Sequence, residues 1–109
     1  MHVGKENGKI NFVYLTTNLV NNKQYVGEHS TDDLECLKTK NYLGSGRYFL
    51  KALKKYKKEN FKKEILDDSF KTKQEAFDAQ AKYIIEYNTL APMGYNLSPT
   101  GGLLVKGCF

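Results

Sequence analysis

The sequence predicts an α/β domain: a small three-stranded sheet, mixed or antiparallel, flanked by helices. Three observations predict it. Residues 10–16, INFVYLT, alternate and are rich in β-formers, and Asn21-Asn22 separates them from a second short strand at 23–27, KQYVG. Residues 46–58 carry apolar side chains at helical spacing. Thr72-Lys73-Gln74-Glu75 has the form of a capping box and opens a further helix.

With 109 residues and 40% hydrophobic content, the chain suits one domain with a modest core. No apolar run approaches the roughly 20 residues of a membrane span, and MHVGKENGKI lacks the apolar core of a secretory signal, so a cytoplasmic protein with no membrane partner is expected. The two cysteines, Cys36 and Cys108, give no disulfide framework, and with two histidines they show no zinc-ligand spacing. Seventeen cationic residues against 12 acidic ones leave a net charge of +5, which suits a polyanionic partner. Arg47 is the only arginine, and arginine is the side chain suited to bidentate phosphate recognition.

Residues 1–9 are polar and expected to be flexible. In the hairpin, a two-residue Asn21-Asn22 loop pairs Val20 with Lys23, Asn18 with Tyr25 and Thr16 with Gly27. Tyr14, Thr16, Asn18, Tyr25 and Gly27 then share one face. That face is a packed aromatic pair or the floor of a site in which Gly27 lets a ligand approach. Residues 28–45 form a long connection with His29 at its start. In the helix that follows, Phe49, Leu53 and Tyr56 form the apolar stripe with Leu50 beside them. Lys51, Lys54, Lys55 and Lys58 occupy the other side, a solvated face or a phosphate-attracting one. Ser45 is the expected N-cap, flanked by Gly44 and Gly46, with Arg47 in the first turn, an arrangement suited to an anion.

Residues 61–66, FKKEIL, read as the third strand. The capped helix runs to about Asn88 with Ala76, Phe77, Tyr83, Ile84 and Tyr87 as its apolar stripe. Gln80 lies inside that stripe, where a polar side chain needs a partner or a role. Ala91-Pro92-Met93-Gly94 reads as a turn, and Tyr95–Ser98 as a short edge strand.

The hairpin FVYLTTNLVNNKQYVG resembles the first motif of the GIY-YIG nucleases, with Phe12-Val13-Tyr14 in the GIY place and Tyr25-Val26-Gly27 in the YIG place. LGSGRYFLKALKKYKKENFKKEIL, TKQEAFDAQAKYIIEYN and GYNLSPTGG then resemble, in order, later segments of the phage homing-endonuclease branch. The resemblance covers residues 10–102, leaving 103–109 as a C-terminal tail. It implies metal-dependent hydrolysis of phosphodiester bonds in double-stranded DNA, in a bacterial or phage-infected cell. One Mg²⁺ or Mn²⁺ and no small-molecule cofactor are implied. By the same resemblance Tyr14 is the general base for the attacking water and Tyr25 helps position it. His29 matches a histidine of some branches, Arg47 stabilises the phosphate, and Asn96 supports the site. Ser45, Gly46 and the helix lysines would contact DNA. Phe12 replaces the first glycine of the motif. Gln80 stands where the family carries the metal-binding glutamate, which implies impaired cleavage. The alternative function is a non-catalytic nucleic-acid-binding module on the nuclease scaffold.

Overall fold

The structure, a computed structural model, describes residues 5–6, 9–31, 43–44 and 46–98. Its strands are β1 (Lys5–Glu6), β2 (Lys9–Asn18), β3 (Gln24–Thr31) and β4 (Phe61–Phe70). Its helices are α1 (Arg47–Tyr56) and α2 (Lys73–Glu86), with a 3-10 turn at Lys58–Asn60. All strand pairs are antiparallel: β2 is central, flanked by β3 and β4, and β1 pairs with the start of β2. The sheet therefore has the expected class and its three principal strands.

Part of the expected flexible N-terminus is thus strand. Lys5 and Glu6 lie on either side of an Asn7-Gly8 dipeptide from Ile10 and Lys9, their pairing partners. Asn-Gly is the strongest short hairpin signal in a sequence.

The hairpin register differs from expectation by two residues. Thr16 faces Tyr25 and Tyr14 faces Gly27. The Asn18 N–H donates to the Lys23 carbonyl at 2.9 Å, so the loop holds four residues rather than two. Side chains decide this. Asn18 Oδ1 accepts from the Val20 N–H and Asn21 Oδ1 from the Lys23 N–H, both at 2.9 Å, while the Leu19 N–H is drawn to the Asn60 carbonyl on the other side. Asn22 takes the positive φ, 66°, that asparagine tolerates. A slip of two preserves every facing, because side chains alternate with period two.

Two apolar layers cover the sheet. On one face Ile10, Phe12, Tyr14 and Tyr25 pack with Leu43, Phe61, Tyr95 and Phe49 and Ala52 of α1. On the other, Val13, Leu15 and Val26 pack with Ala76 and Ile84 of α2. Leu50 is exposed, so the α1 stripe runs through Tyr48, Phe49, Ala52, Leu53 and Tyr56. α1 opens on Gly46 with no side-chain cap; Ser45 lies outside the described residues. α2 is capped as expected: Thr72 Oγ1 accepts from the Glu75 N–H, and Glu75 Oε1 accepts from the Lys71 N–H.

β3 and β4 outrun the expected strands. β3 continues to Thr31, so His29 sits on a strand opposite Phe12 rather than at the start of a loop. β4 continues to Phe70 past a register shift near Leu66, which breaks the alternation that marks a strand in sequence. The expected edge strand at 95–98 is instead a single parallel bridge, Leu90 with Asn96, plus one bond from the Tyr95 N–H to the Gln24 carbonyl. Residues 99–109, including the end of the GYNLSPTGG segment, and the connection at 32–42 lie outside the described residues.

Asn96 fastens this last segment to β3. Its Nδ2 donates to the Val26 carbonyl at 2.9 Å, and its Oδ1 accepts from the Val26 N–H at 2.9 Å and from Thr89 Oγ1 at 2.7 Å. All are buried, so truncation strands two backbone groups without water. Asn96→Ala should lower unfolding free energy by about 3 kcal/mol in urea titration. A loss under about 0.5 kcal/mol, the range of a surface change, would show that the clamp is not needed.

Candidate active site

The register that sets Tyr14 opposite Gly27 lays the phenol across the neighbouring strand. A Cβ on Gly27 would fall on Tyr14 Oη and Cζ. Of the two readings of this face, the packed aromatic pair describes it, and Tyr14 itself fills the space over Gly27. Tyr25 lies beside it, ring centroids 6.3 Å apart, and stacks on Phe49 at 4.9 Å. The two tyrosines are 1% and 6% exposed, so they form a wall of the core.

His29 and Lys63 complete this face. His29 meets Phe12 edge to face at 5.7 Å, and Phe12 is 5.9 Å from Tyr14. Lys63 Nζ stands 5.6 Å from the Tyr14 ring centroid and 5.8 Å from that of Phe12, within cation–π range. Burial pushes the His29 imidazole below its ordinary 6.5. Glu28 opposes that shift, and Lys73 and Lys63 add to it. His29 is therefore neutral at pH 7 and able to accept a proton.

Sequence reasoning missed Lys63, although a signal was present. Phe61 and Ile65 point into the core of this face, so alternation puts Lys63 between them on the same side. A cation flanked by two inward apolar residues is as conspicuous as Gln80 within its helix stripe.

Arg47 does not join this cluster. It is exposed and opens into a cleft of about 360 Å³ lined by Tyr48, Lys51, Ala91, Pro92 and Leu97. Gly46 serves packing rather than phosphate approach: a Cβ there would come within 2.8 Å of the Tyr25 ring. Lys51, Lys54, Lys55 and Lys58 are exposed, as a solvated or DNA-facing surface requires. Asn96 acts through β3, holding the backbone between Tyr25 and Gly27.

Gln80 is 4% exposed, in line with Ala76 and Ile84 on the α2 face that packs against Val13, Leu15 and Val26. The sheet thus stands between Gln80 and the tyrosine rings, so Tyr14, Tyr25, Arg47, Gln80 and Asn96, which the family resemblance assigns to one site, do not share one face. Gln80 Oε1 is buried without a hydrogen-bond partner among the described residues. An oxygen buried in this way carries an uncompensated desolvation cost. A neutral amide does not fit a divalent ion by itself, and no group of three or more potential ligands occurs among the described residues. No described helix is long and apolar enough to cross a membrane.

Comparison with known proteins places these features. No family model matches the chain. It is 44% identical over 90 residues to segE, a candidate endonuclease of Enterobacteria phage T4, covering 83% of this chain and 42% of that protein. It is also 44% identical over 93 residues to the endonuclease segA of the same phage, covering 85% of this chain and 40% of that one. The chain thus spans about two-fifths of the length of these curated relatives. Its fold matches the catalytic domain of the homing endonuclease I-TevI with a TM-score of 0.61 at 24% identity, over 81% of this chain and 98% of that domain. A mutant of the same domain matches with a TM-score of 0.60 at 25% identity, over 83% and 95%. With both motif strands paired antiparallel, the chain has the fold of that catalytic domain and is similar to phage endonucleases over most of its own length, a likeness that supports the GIY-YIG nuclease family read from its motifs.

Proposed function

We propose that the chain is the catalytic module of an endonuclease that hydrolyses phosphodiester bonds of double-stranded DNA, impaired as written because Gln80 replaces a metal-binding glutamate. The observation that carries the reading is the tyrosine face, where Tyr14 and Tyr25 of the two motif strands share one side with a neutral histidine and a lysine. In the proposed reaction a water oxygen bonds to phosphorus as the bond from phosphorus to the leaving sugar oxygen breaks. Tyr14 passes its phenolic proton to His29 as it takes the water proton, and the leaving sugar oxygen takes a proton from solvent. Tyr25 holds the Tyr14 ring in place, and Lys63 offsets charge developing on the phosphoryl oxygens. The substrate passes round the outer side of β3 beyond Val26, where Asn96 is bound, to join the tyrosine face to the α2 face. A carboxylate at position 80 would hold Mg²⁺ or Mn²⁺ there. The work belongs in the cytoplasm of a phage-infected cell, where the DNA is.

The buried neutral amide at position 80 favours a second reading, a module that binds nucleic acid without cutting it. A supercoiled-plasmid assay in Mg²⁺ or Mn²⁺ separates the two. The chain as written should nick slowly or not at all. Gln80→Glu should cut in a metal-dependent way, and adding Tyr14→Phe should abolish that gain. The same carboxylate, forced into a buried site, should make thermal stability depend on the metal. Vigorous, equal cleavage by the chain as written would remove position 80 from the mechanism. Inactivity of Gln80→Glu, with DNA binding intact, would favour the non-catalytic reading.

Gly27→Ala tests the packing of the proposed base. Its methyl group displaces the Tyr14 phenol, so in the Gln80→Glu background activity should fall about 100-fold, with a stability cost of about 1–3 kcal/mol. Unchanged activity would show that the Tyr14 position is immaterial.

The His29 shift predicts a pH dependence of stability. The unfolded chain binds a proton near 6.5, whereas the folded chain binds it only at lower pH. Stability is therefore lost as pH falls from 6.5 towards the folded value, and is fully present above 6.5. Urea titrations from pH 7.5 to 5 should show this fall, and His29→Gln should flatten it. An identical slope in the variant would assign the effect to other groups.

A further inference from the structure

Two neighbouring clefts lie along the outer flank of α1. The first, of about 360 Å³, is lined by Arg47, Tyr48, Lys51 and the Ala91, Pro92 and Leu97 wall. The second, of about 250 Å³, lies between the same helix and the hairpin tip, and is lined by Lys51, Lys55, Tyr48, Tyr95, Asn21 and Lys23 among others. Tyr48 and Lys51 line both, so the clefts are neighbours along the helix and together form one cation-lined groove for a bound strand. Neither is lined by Tyr14 or His29 among the described residues.

The charges in this groove are ordered. Arg47, Lys51 and Lys55 are four residues apart, so they rise along one side of the helix in steps of about 6 Å. Lys23 closes the second cleft from the hairpin side. No acidic residue is among the described lining. The aromatic walls are already engaged: Tyr48 meets Tyr95 edge on at 5.4 Å, and Lys55 Nζ sits 5.2 Å from the Tyr56 ring centroid. The groove thus presents a row of cations over apolar walls, with few free ring faces for stacking bases. Lys54 and Lys58, which the sequence grouped with Lys51 and Lys55, line neither cleft.

We propose that this groove is a track for one sugar–phosphate backbone of duplex DNA, gripped by Arg47, Lys51, Lys55 and Lys23 and read without regard to sequence. The inference rests on the nuclease reading above and deepens it. It divides the lysine-rich surface into a part that contacts phosphate and a part that only adds to the overall field. It also gives the lone arginine a place outside the tyrosine face.

The test compares two triple variants of equal charge change: Lys23→Gln/Lys51→Gln/Lys55→Gln in the groove and Lys54→Gln/Lys58→Gln/Lys62→Gln outside it. All six side chains are solvent-accessible to some degree, and circular dichroism verifies folding. Fluorescence anisotropy with a labelled DNA duplex of arbitrary sequence, across a salt series, supplies the affinity. The groove variant should bind at least about ten-fold more weakly at low salt, with a log–log salt slope shallower by about 2–3. The outside variant should lose less than about three-fold and keep its slope. Equal losses in the two variants would show a diffuse field and overturn the track while leaving the nuclease reading in place. Absence of duplex binding by the parent chain at low salt would overturn both.

Discussion

The contact on which the rest of the molecule depends is the Tyr14 phenol lying flat over Gly27. It forms only if β2 and β3 pair with Tyr14 opposite Gly27, and it tolerates no side chain at position 27. That register fixes which residues face α1 and which face α2. It places Tyr25 against Phe49, which seats α1, and brings His29 opposite Phe12. The four-residue loop with its two asparagine caps supplies the turn that this register needs, and Asn18 Nδ2 ties the turn to the Tyr95 hydroxyl at 2.9 Å. Asn96 locks the outer side of β3 at Val26, directly between the motif tyrosine and glycine. A small domain has few ways to fix a cluster of aromatic side chains, and here the core itself does so.

Three of the polar side chains among these apolar residues differ in physical status. Asn96 is fully engaged and therefore structural. Lys63 buries its stem among aromatic rings and keeps its charge at their faces, an arrangement that favours anions nearby. Gln80 is buried with an oxygen left unpaired among the described residues, which costs stability that nothing in the packing returns. Among the described residues it is the buried side-chain atom left without a partner.

Much of the fold was legible because its signals are local. The alternation in INFVYLT, the capping box at Thr72–Glu75 and the helical stripe through Phe49 and Tyr56 each depend on a few adjacent residues. What escaped depends on tertiary context. The two-residue slip in register comes from Asn18 and Leu19 finding partners outside the hairpin. The polar ends of β3 and β4 read as loops, because Glu28–Thr31 and Asp67–Phe70 gain their strand character from pairing with β2. The facing of Tyr14 and Tyr25 was readable despite the slip, since a shift of two leaves alternation intact. The placement of Arg47 and Gln80 was not, because no local pattern states which side of a sheet a helix covers. Ser45 lies outside the described residues.

The interlock itself is open to direct observation in solution. Nuclear Overhauser contacts in a uniformly labelled sample report which residue lies beneath the Tyr14 ring. The account predicts strong contacts from the Tyr14 ring protons to both Gly27 α-protons, with the Gly27 resonances shifted by the ring above them. Contacts pairing Thr16 with Gly27, with the Tyr14 ring away from that strand, would restore the two-residue turn and contradict the site built on it.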